Sequence, residues 1–105
     1  MAEEYRATCG ETLRHLRERR KEPLRVVAAA IGIDSTLLSK LERGDRLPTD
    51  AQVANLAAYF GVPVDELVAQ VIAERIVADY GDKSATLRAI KIVKERLSDY
   101  EEEGE

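Results

Sequence analysis

The side chains able to do chemistry in this 105-residue sequence are few in kind and unevenly placed. There is one cysteine, Cys9, and one histidine, His15. A single thiol cannot close an internal disulfide or build a multi-thiolate metal site. Cys9 therefore reads as a packing residue near a helix start, with redox sensing as the sharper alternative. His15 stands among Arg14, Arg17 and Arg19 without the partners that catalysis or metal binding needs, and reads as exposed. No glycine-rich phosphate loop, paired metal-ligand spacing or nucleophile motif occurs. The expectation is a protein that is not an enzyme and that holds no metal and no cofactor. What remains is cationic. Arg6, Arg14, Arg17, Arg19, Arg20, Lys21, Arg25, Lys40, Arg43 and Arg46 lie within residues 5–49 against six acids, a balance of +4. Residues 50–105 carry six basic and twelve acidic residues, a balance of −6.

The whole chain has a net charge of −4 and a pI near 5.1, which by themselves argue against a nucleic-acid partner. The distribution argues otherwise, setting a basic working surface beside an acidic remainder. The length allows one domain, or one domain with a short appendage, and no two-domain enzyme with a large cleft. A hydrophobic fraction of 45% excludes wholesale disorder. No apolar run approaches the roughly 18 residues of a membrane span. The start Met1-Ala2-Glu3-Glu4-Tyr5 lacks the order of a signal peptide. A cytoplasmic protein with no membrane partner is expected. The end Glu101-Glu102-Glu103-Gly104-Glu105 reads as a frayed, solubilising tail.

The elements that must position the basic residues are short helices with regular stops. Thr8 and Glu11 have capping-box spacing, and Leu13 and Leu16 give an apolar edge to a first helix reaching about Lys21. Pro23 opens a second helix, Leu24 to Ile31, with Val27, Ala28 and Ile31 at helical spacing, and Gly32 suits its end. Asp34 offers an N-cap to a third helix, and Ile33 and Leu38 have the spacing of a hydrophobic staple. That helix ends at Gly44, with Pro48 beyond. Thr49 and Gln52 form the next capping box, opening a fourth helix with Val53, Leu56, Ala57 and Phe60 on one side and Gly61 as its stop. Pro63, Asp65 and Glu66 mark a fifth helix closed by Gly81, and Ser84 caps a sixth reaching about Tyr100. No segment alternates with period two, so the expected fold class is all-α. The second and third helices are too closely joined to lie antiparallel, which suggests a helix-turn-helix with Ala28 and Leu38 buried at the crossing.

At these residues the sequence resembles the Cro/C1-type (Xre) helix-turn-helix regulators of bacteria and phages. The resemblance runs through Leu13-x-x-Leu16-Arg17, Val27-Ala28-x-x-Ile31-Gly32-Ile33, Leu38-Ser39-Lys40-Leu41-Glu42-Arg43-Gly44 and Pro48. It continues with Leu56-Ala57 and Phe60-Gly61-Val62-x-x-Asp65-Glu66-Leu67, covering about residues 10–67. It implies a five-helix Cro/C1 repressor-like DNA-binding domain over residues 1–67, its helix-turn-helix at about 24–42, with one further C-terminal helix. It implies that residues 35–42 are a recognition helix in the major groove of double-stranded DNA, with Ser35, Thr36, Leu37, Ser39 and Lys40 reading bases. The chemistry suits that groove: Lys40 can donate to guanine O6 and N7, hydroxyls donate or accept, and Leu37 can touch a thymine methyl. Arg17 and Glu42 correspond to a structural ion pair. Arg43, Arg46 and Arg25 are the phosphate candidates. The sequence departs from the family where the second helix usually opens with a hydroxyl residue and a DNA-touching glutamine. Pro23 and Leu24 stand there, and leucine cannot make that hydrogen bond.

Residues 64–105 exceed what such a module needs. Leu67, Val68, Val71, Ile72, Ile76 and Tyr80 form one stripe on the fifth helix. Leu87, Ile90, Val93, Leu97 and Tyr100 form another on the sixth. Such stripes usually belong to a core, yet these helices are the only candidates for assembly. The expectation is a homodimer using Val71, Ile72, Leu87, Ile90, Val93 and Leu97, which would present two recognition helices to a palindrome with half-sites roughly 34 Å apart. The function expected is a sequence-specific transcriptional regulator, most simply a repressor. A restriction–modification controller or an antitoxin-type autoregulator is the narrower alternative. A protein-interaction module that no longer binds DNA, docking a partner through the C-terminal helices, is the alternative from another class.

Overall fold

The computed structural model describes residues 7–103. Arg6, the acids near the N-terminus, and Gly104 and Glu105 of the acidic end lie outside the described residues. Those residues form six helices and no strand, an all-α fold. The helices are α1 Cys9–Arg19, α2 Leu24–Ile31, α3 Ser35–Arg43, α4 Asp50–Phe60, α5 Val64–Tyr80 and α6 Thr86–Glu103. None is long and apolar enough to cross a membrane. The chain divides after Glu74 into two compact units, so that α5 begins in the first and ends in the second.

Local hydrogen bonding fixes most helix starts in the first unit. The Thr8 hydroxyl accepts from the Glu11 N–H (3.1 Å), and the Asp34 carboxylate accepts from the Leu37 N–H (2.7 Å). At α4 the box is reciprocal, with the Gln52 N–H donating to the Thr49 hydroxyl (3.2 Å) and the Thr49 N–H to the Gln52 side chain (2.9 Å). Each such cap satisfies donors that a helix start otherwise leaves unpaired, worth about 1 kcal/mol. The α2–α3 turn depends on Gly32, whose φ of 77° is left-handed and nearly free of strain only without a Cβ. The first helix ends at Arg19, short of the expected Lys21, because the chain turns through Arg20 and Lys21, the latter at φ 55°.

The core of the first unit is built from Cys9, Leu13, Val27, Ala28, Leu38, Val53, Leu56, Ala57, Leu67 and Val71. Leu24, Ile31, Ile33, Phe60 and Val68 pack against it partly buried. Ile33 and Leu38 thus belong to one cluster on either side of Asp34, which sets the angle at which α3 leaves the turn. Complete burial of each leucine here contributes roughly 1.5–3 kcal/mol of apolar transfer.

The stripe expected on α5 splits. Leu67 and Val71 are one helical turn apart and both face the core. Ile72 and Tyr80 are each 53% exposed. Val71, one of the residues expected at an assembly surface, is covered by its own unit in the single chain. In the second unit α6 begins at Thr86 rather than beside Ser84. The Lys83 N–H bonds the Tyr80 carbonyl (3.1 Å) and the Thr86 N–H bonds that of Lys83 (3.2 Å), so successive tight turns carry the chain past Ser84. The Thr86 hydroxyl also donates to the Tyr80 carbonyl. α6 runs three residues beyond Tyr100, and Leu87, Ile90, Val93 and Leu97 are all exposed on it.

Candidate nucleic-acid interface

The α3 helix buries Leu38, Leu41 and Glu42 on one face. Helical periodicity then sends Thr36, Lys40 and Arg43, spaced four and three residues apart, to the opposite side. Thr36, Lys40 and Arg43 are exposed, while Ser35, Leu37 and Ser39 are half-buried along its edges. Of the five residues expected to read bases, Thr36 and Lys40 face outward, Lys40 from the last turn, and the other three lie along the edges. The Asp34 cap holds the first turn, and its negative charge suits the positive end of the helix dipole.

What holds α3 from behind is α1. The Arg17 guanidinium grips the Glu42 carboxylate with both arms, Nε to Oε2 at 2.7 Å and Nη2 to Oε1 at 2.9 Å. Its third arm, Nη1, donates to the Glu22 carbonyl oxygen at 3.0 Å. Exposure of the two side chains is only 15% and 6%. The Glu42 hydrogen bond, reinforced by the carboxylate charge, pushes the Arg17 pKa further up. This is a bidentate, largely desolvated pair in which each guanidinium nitrogen makes one hydrogen bond, the geometry in which a buried pair is retained without an orphaned charge. Arg17 and Glu42 are thus brought together as scaffold, on the side of α3 away from the outward face.

A second contact lies at Gly10, the second residue of α1. A Cβ on Gly10 would fall 2.5 Å from the Glu42 carbonyl oxygen and closer still to that of Leu41. Only glycine lets α1 approach the end of α3 this closely. Nothing in the local spacing flags Gly10, which follows a helix cap and could have been read as mere fraying.

The phosphate candidates fall differently. Arg43 donates from Nη1 to the Ser39 hydroxyl (2.9 Å) and from Nε to the Asp45 carboxylate (3.0 Å), all at the surface. One of the expected base readers and one of the expected phosphate contacts are therefore tied to each other. Arg46 and Arg25 are exposed, Arg25 at the second position of α2. Leu24, where a polar residue was missing, is packed against the core. Its side chain anchors the start of α2 inward instead of reaching outward.

Sequence reasoning missed two further sets of contacts. Arg20 stacks over the Tyr59 ring (4.8 Å), donates to the Tyr59 carbonyl (2.8 Å) and pairs with Glu22 (3.1 Å). The Tyr59 hydroxyl in turn donates to Glu22, which raises its pKa. On the other side, the Cys9 N–H donates to Glu74 Oε2 (2.8 Å), and Gln70 donates to the Thr12 hydroxyl (2.9 Å). Burial first, and the Glu74 charge second, push the Cys9 thiol up to about 11. Apart from the neighbouring Arg20 and Glu22, these partners are 37 to 65 residues apart in sequence. The only available signal was the presence of Gln70 and Glu74 among the apolar residues of α5.

The α1–α5 segment carrying this arrangement, residues 9–70, matches the family model described as a helix-turn-helix domain. The chain belongs to the helix-turn-helix domain family. Over 61 residues, 57% of the chain, it is 41% identical to RghRB of Bacillus subtilis strain 168, described as an uncharacterized HTH-type transcriptional regulator. The match spans 44% of that relative's length. Within the matched residues, Gly32-Ile33-Asp34 join α2 to α3, and α1 braces α3 from behind.

Proposed function

We propose that the protein is a sequence-specific regulator of transcription that binds double-stranded DNA, of the Cro/C1 (Xre) type, with α3 in the major groove. One observation carries this reading. The outward face of α3 presents Thr36 and Lys40 to solvent while its inward face is locked by Leu38, Leu41 and the Arg17–Glu42 pair. A recognition helix needs this division: a rigid back, and a front whose donors and acceptors are free for base edges. Arg25, Arg43 and Arg46 surround that front with positive charge, and phosphate contacts from them fix register. Membership of the helix-turn-helix family and the description of RghRB as a transcriptional regulator support the same reading.

The protein acts as a repressor by occupying a promoter, and as a homodimer on a palindromic operator. The apolar residues left exposed on α6 support assembly, and a two-fold dimer presents two copies of α3 to half-sites about one turn of DNA apart. The reading is tested by titrating salt against binding to a random duplex. Affinity should fall with a log–log slope of about −0.9 for each phosphate neutralised. A slope near zero, or no binding at low salt, would favour a module that docks protein instead. Selecting bound sites from a random duplex pool then gives the operator, its symmetry and the half-site spacing.

A further inference from the structure

No described residue of α6 is buried, although the helix carries a continuous apolar arc. Leu87, Ile90, Val93, Leu97 and Tyr100 are between 42% and 81% exposed. Ile90, Val93, Leu97 and Tyr100 follow one another at intervals of three, four and three residues, the seam of a coiled coil, with Leu87 on its edge. Ile92 falls outside the arc. An amphipathic helix with its apolar stripe in water is stable only when that stripe is covered.

We propose that this seam is covered by the same helix of a second copy of the chain, the two α6 helices lying parallel and in register. The proposal deepens the homodimer of the preceding subsection, on which it rests, by naming its surface and orientation. A second copy is the occupant because the charges along the seam complement themselves. With Ile90 and Leu97 at one core position and Val93 and Tyr100 at the other, Arg96 and Glu101 occupy the flanking positions that meet across a parallel pair. Arg96 of each helix then faces Glu101 of its partner, twice by symmetry, while Lys94 faces the uncharged Ala89. The antiparallel alignment that matches the same apolar residues, Ile90 opposite Tyr100 and Val93 opposite Leu97, sets Lys94 against Lys94 and Arg96 against Arg96. Like charges at the flanks disfavour it, and the pattern selects the parallel arrangement.

Sedimentation equilibrium on the full chain, without DNA, tests this directly. The wild type should dimerise. Ile90→Asp with Leu97→Asp should abolish the dimer and leave the thermal unfolding of the first unit in place, since neither side chain is buried in a single chain. Arg96→Glu and Glu101→Arg should each weaken the dimer about tenfold, as two attractive pairs become repulsive. The double variant Arg96→Glu/Glu101→Arg should recover wild-type association. A wild type that stays monomeric to its solubility limit, or a dimer indifferent to the Asp substitutions, would overturn the proposal. Single reversals that have no effect, or a double variant without recovery, would overturn the parallel arrangement. DNA affinity is read separately: a wild-type dimer that binds no duplex refutes the DNA reading and leaves the interface standing, and a monomer that binds duplex does the reverse.

Discussion

Replacing Arg17 by methionine keeps most of the side-chain volume and removes the positive charge behind α3. Two hydrogen bonds to Glu42 and one to the Glu22 carbonyl disappear together. The carboxylate left behind is only 6% exposed, so water replaces little of what is lost. Removing one partner of such a pair costs about 3–5 kcal/mol, far above the ~0–1 kcal/mol of a surface bridge. For a domain of this size each kcal/mol lowers the melting temperature by roughly 4–8 °C, giving a fall well beyond 10 °C. Glu42→Gln should cost less, because the Arg17 side chain is 15% exposed and keeps its bond to the Glu22 carbonyl. The double variant Arg17→Met/Glu42→Gln should be more stable than Arg17→Met alone, since no buried charge is stranded. Urea unfolding followed by circular dichroism measures all four chains. A loss below about 1 kcal/mol for Arg17→Met, or strict additivity of the two substitutions, would refute this account of the pair.

Three other perturbations concern Lys40, Gly10 and Cys9. Lys40→Ala should cost about 1–3 kcal/mol of operator binding and relax base preference, whereas Arg46→Ala should weaken all duplexes alike, as competition with random DNA will show. Gly10→Ala forces α1 away from the Leu41 and Glu42 carbonyls and should destabilise the fold by about 1–3 kcal/mol, read from the urea midpoint. Because the folded thiol of Cys9 titrates at about 11 against an ordinary 9.0, folding favours its protonated form. Its contribution is therefore complete below pH 9 and is lost as pH rises toward 11, so wild type should lose more stability over that window than Cys9→Ala.

Much of the architecture is legible in the sequence because it is decided within a few residues. Thr8, Asp34 and Thr49 each bond an N–H three residues on, and Gly32 ends α2 by a backbone angle that needs no tertiary partner. The outward face of α3 is legible for a related reason: once Leu38 and Leu41 are inside, periodicity fixes where Lys40 goes. The pairing of Arg17 with Glu42 came through resemblance and not through spacing, since 25 residues separate them. Gly10, the Arg20–Tyr59–Glu22 cluster and the Glu74 bond to Cys9 depend on how whole helices are set against one another, which no local pattern encodes. Val71 shows the opposite limit. An apolar stripe states that a face must be covered, and leaves open whether its own domain or a second molecule covers it.

The division of α3 into a locked back and an open front also bears on how such a protein can diverge. Thr36 and Lys40 contribute nothing to the core, so exchanging them carries almost no penalty in folding. Ser39 is less free, because its hydroxyl accepts from Arg43, and a change there disturbs a neighbour as well as itself. On the proposed reading of α3 as the recognition helix, new target sequences are reachable through two positions that drift independently of stability, with a third that drags a partner along. Across descendants of this chain, Arg17, Glu42 and Gly10 should stay fixed while positions 36 and 40 vary from one operator to the next.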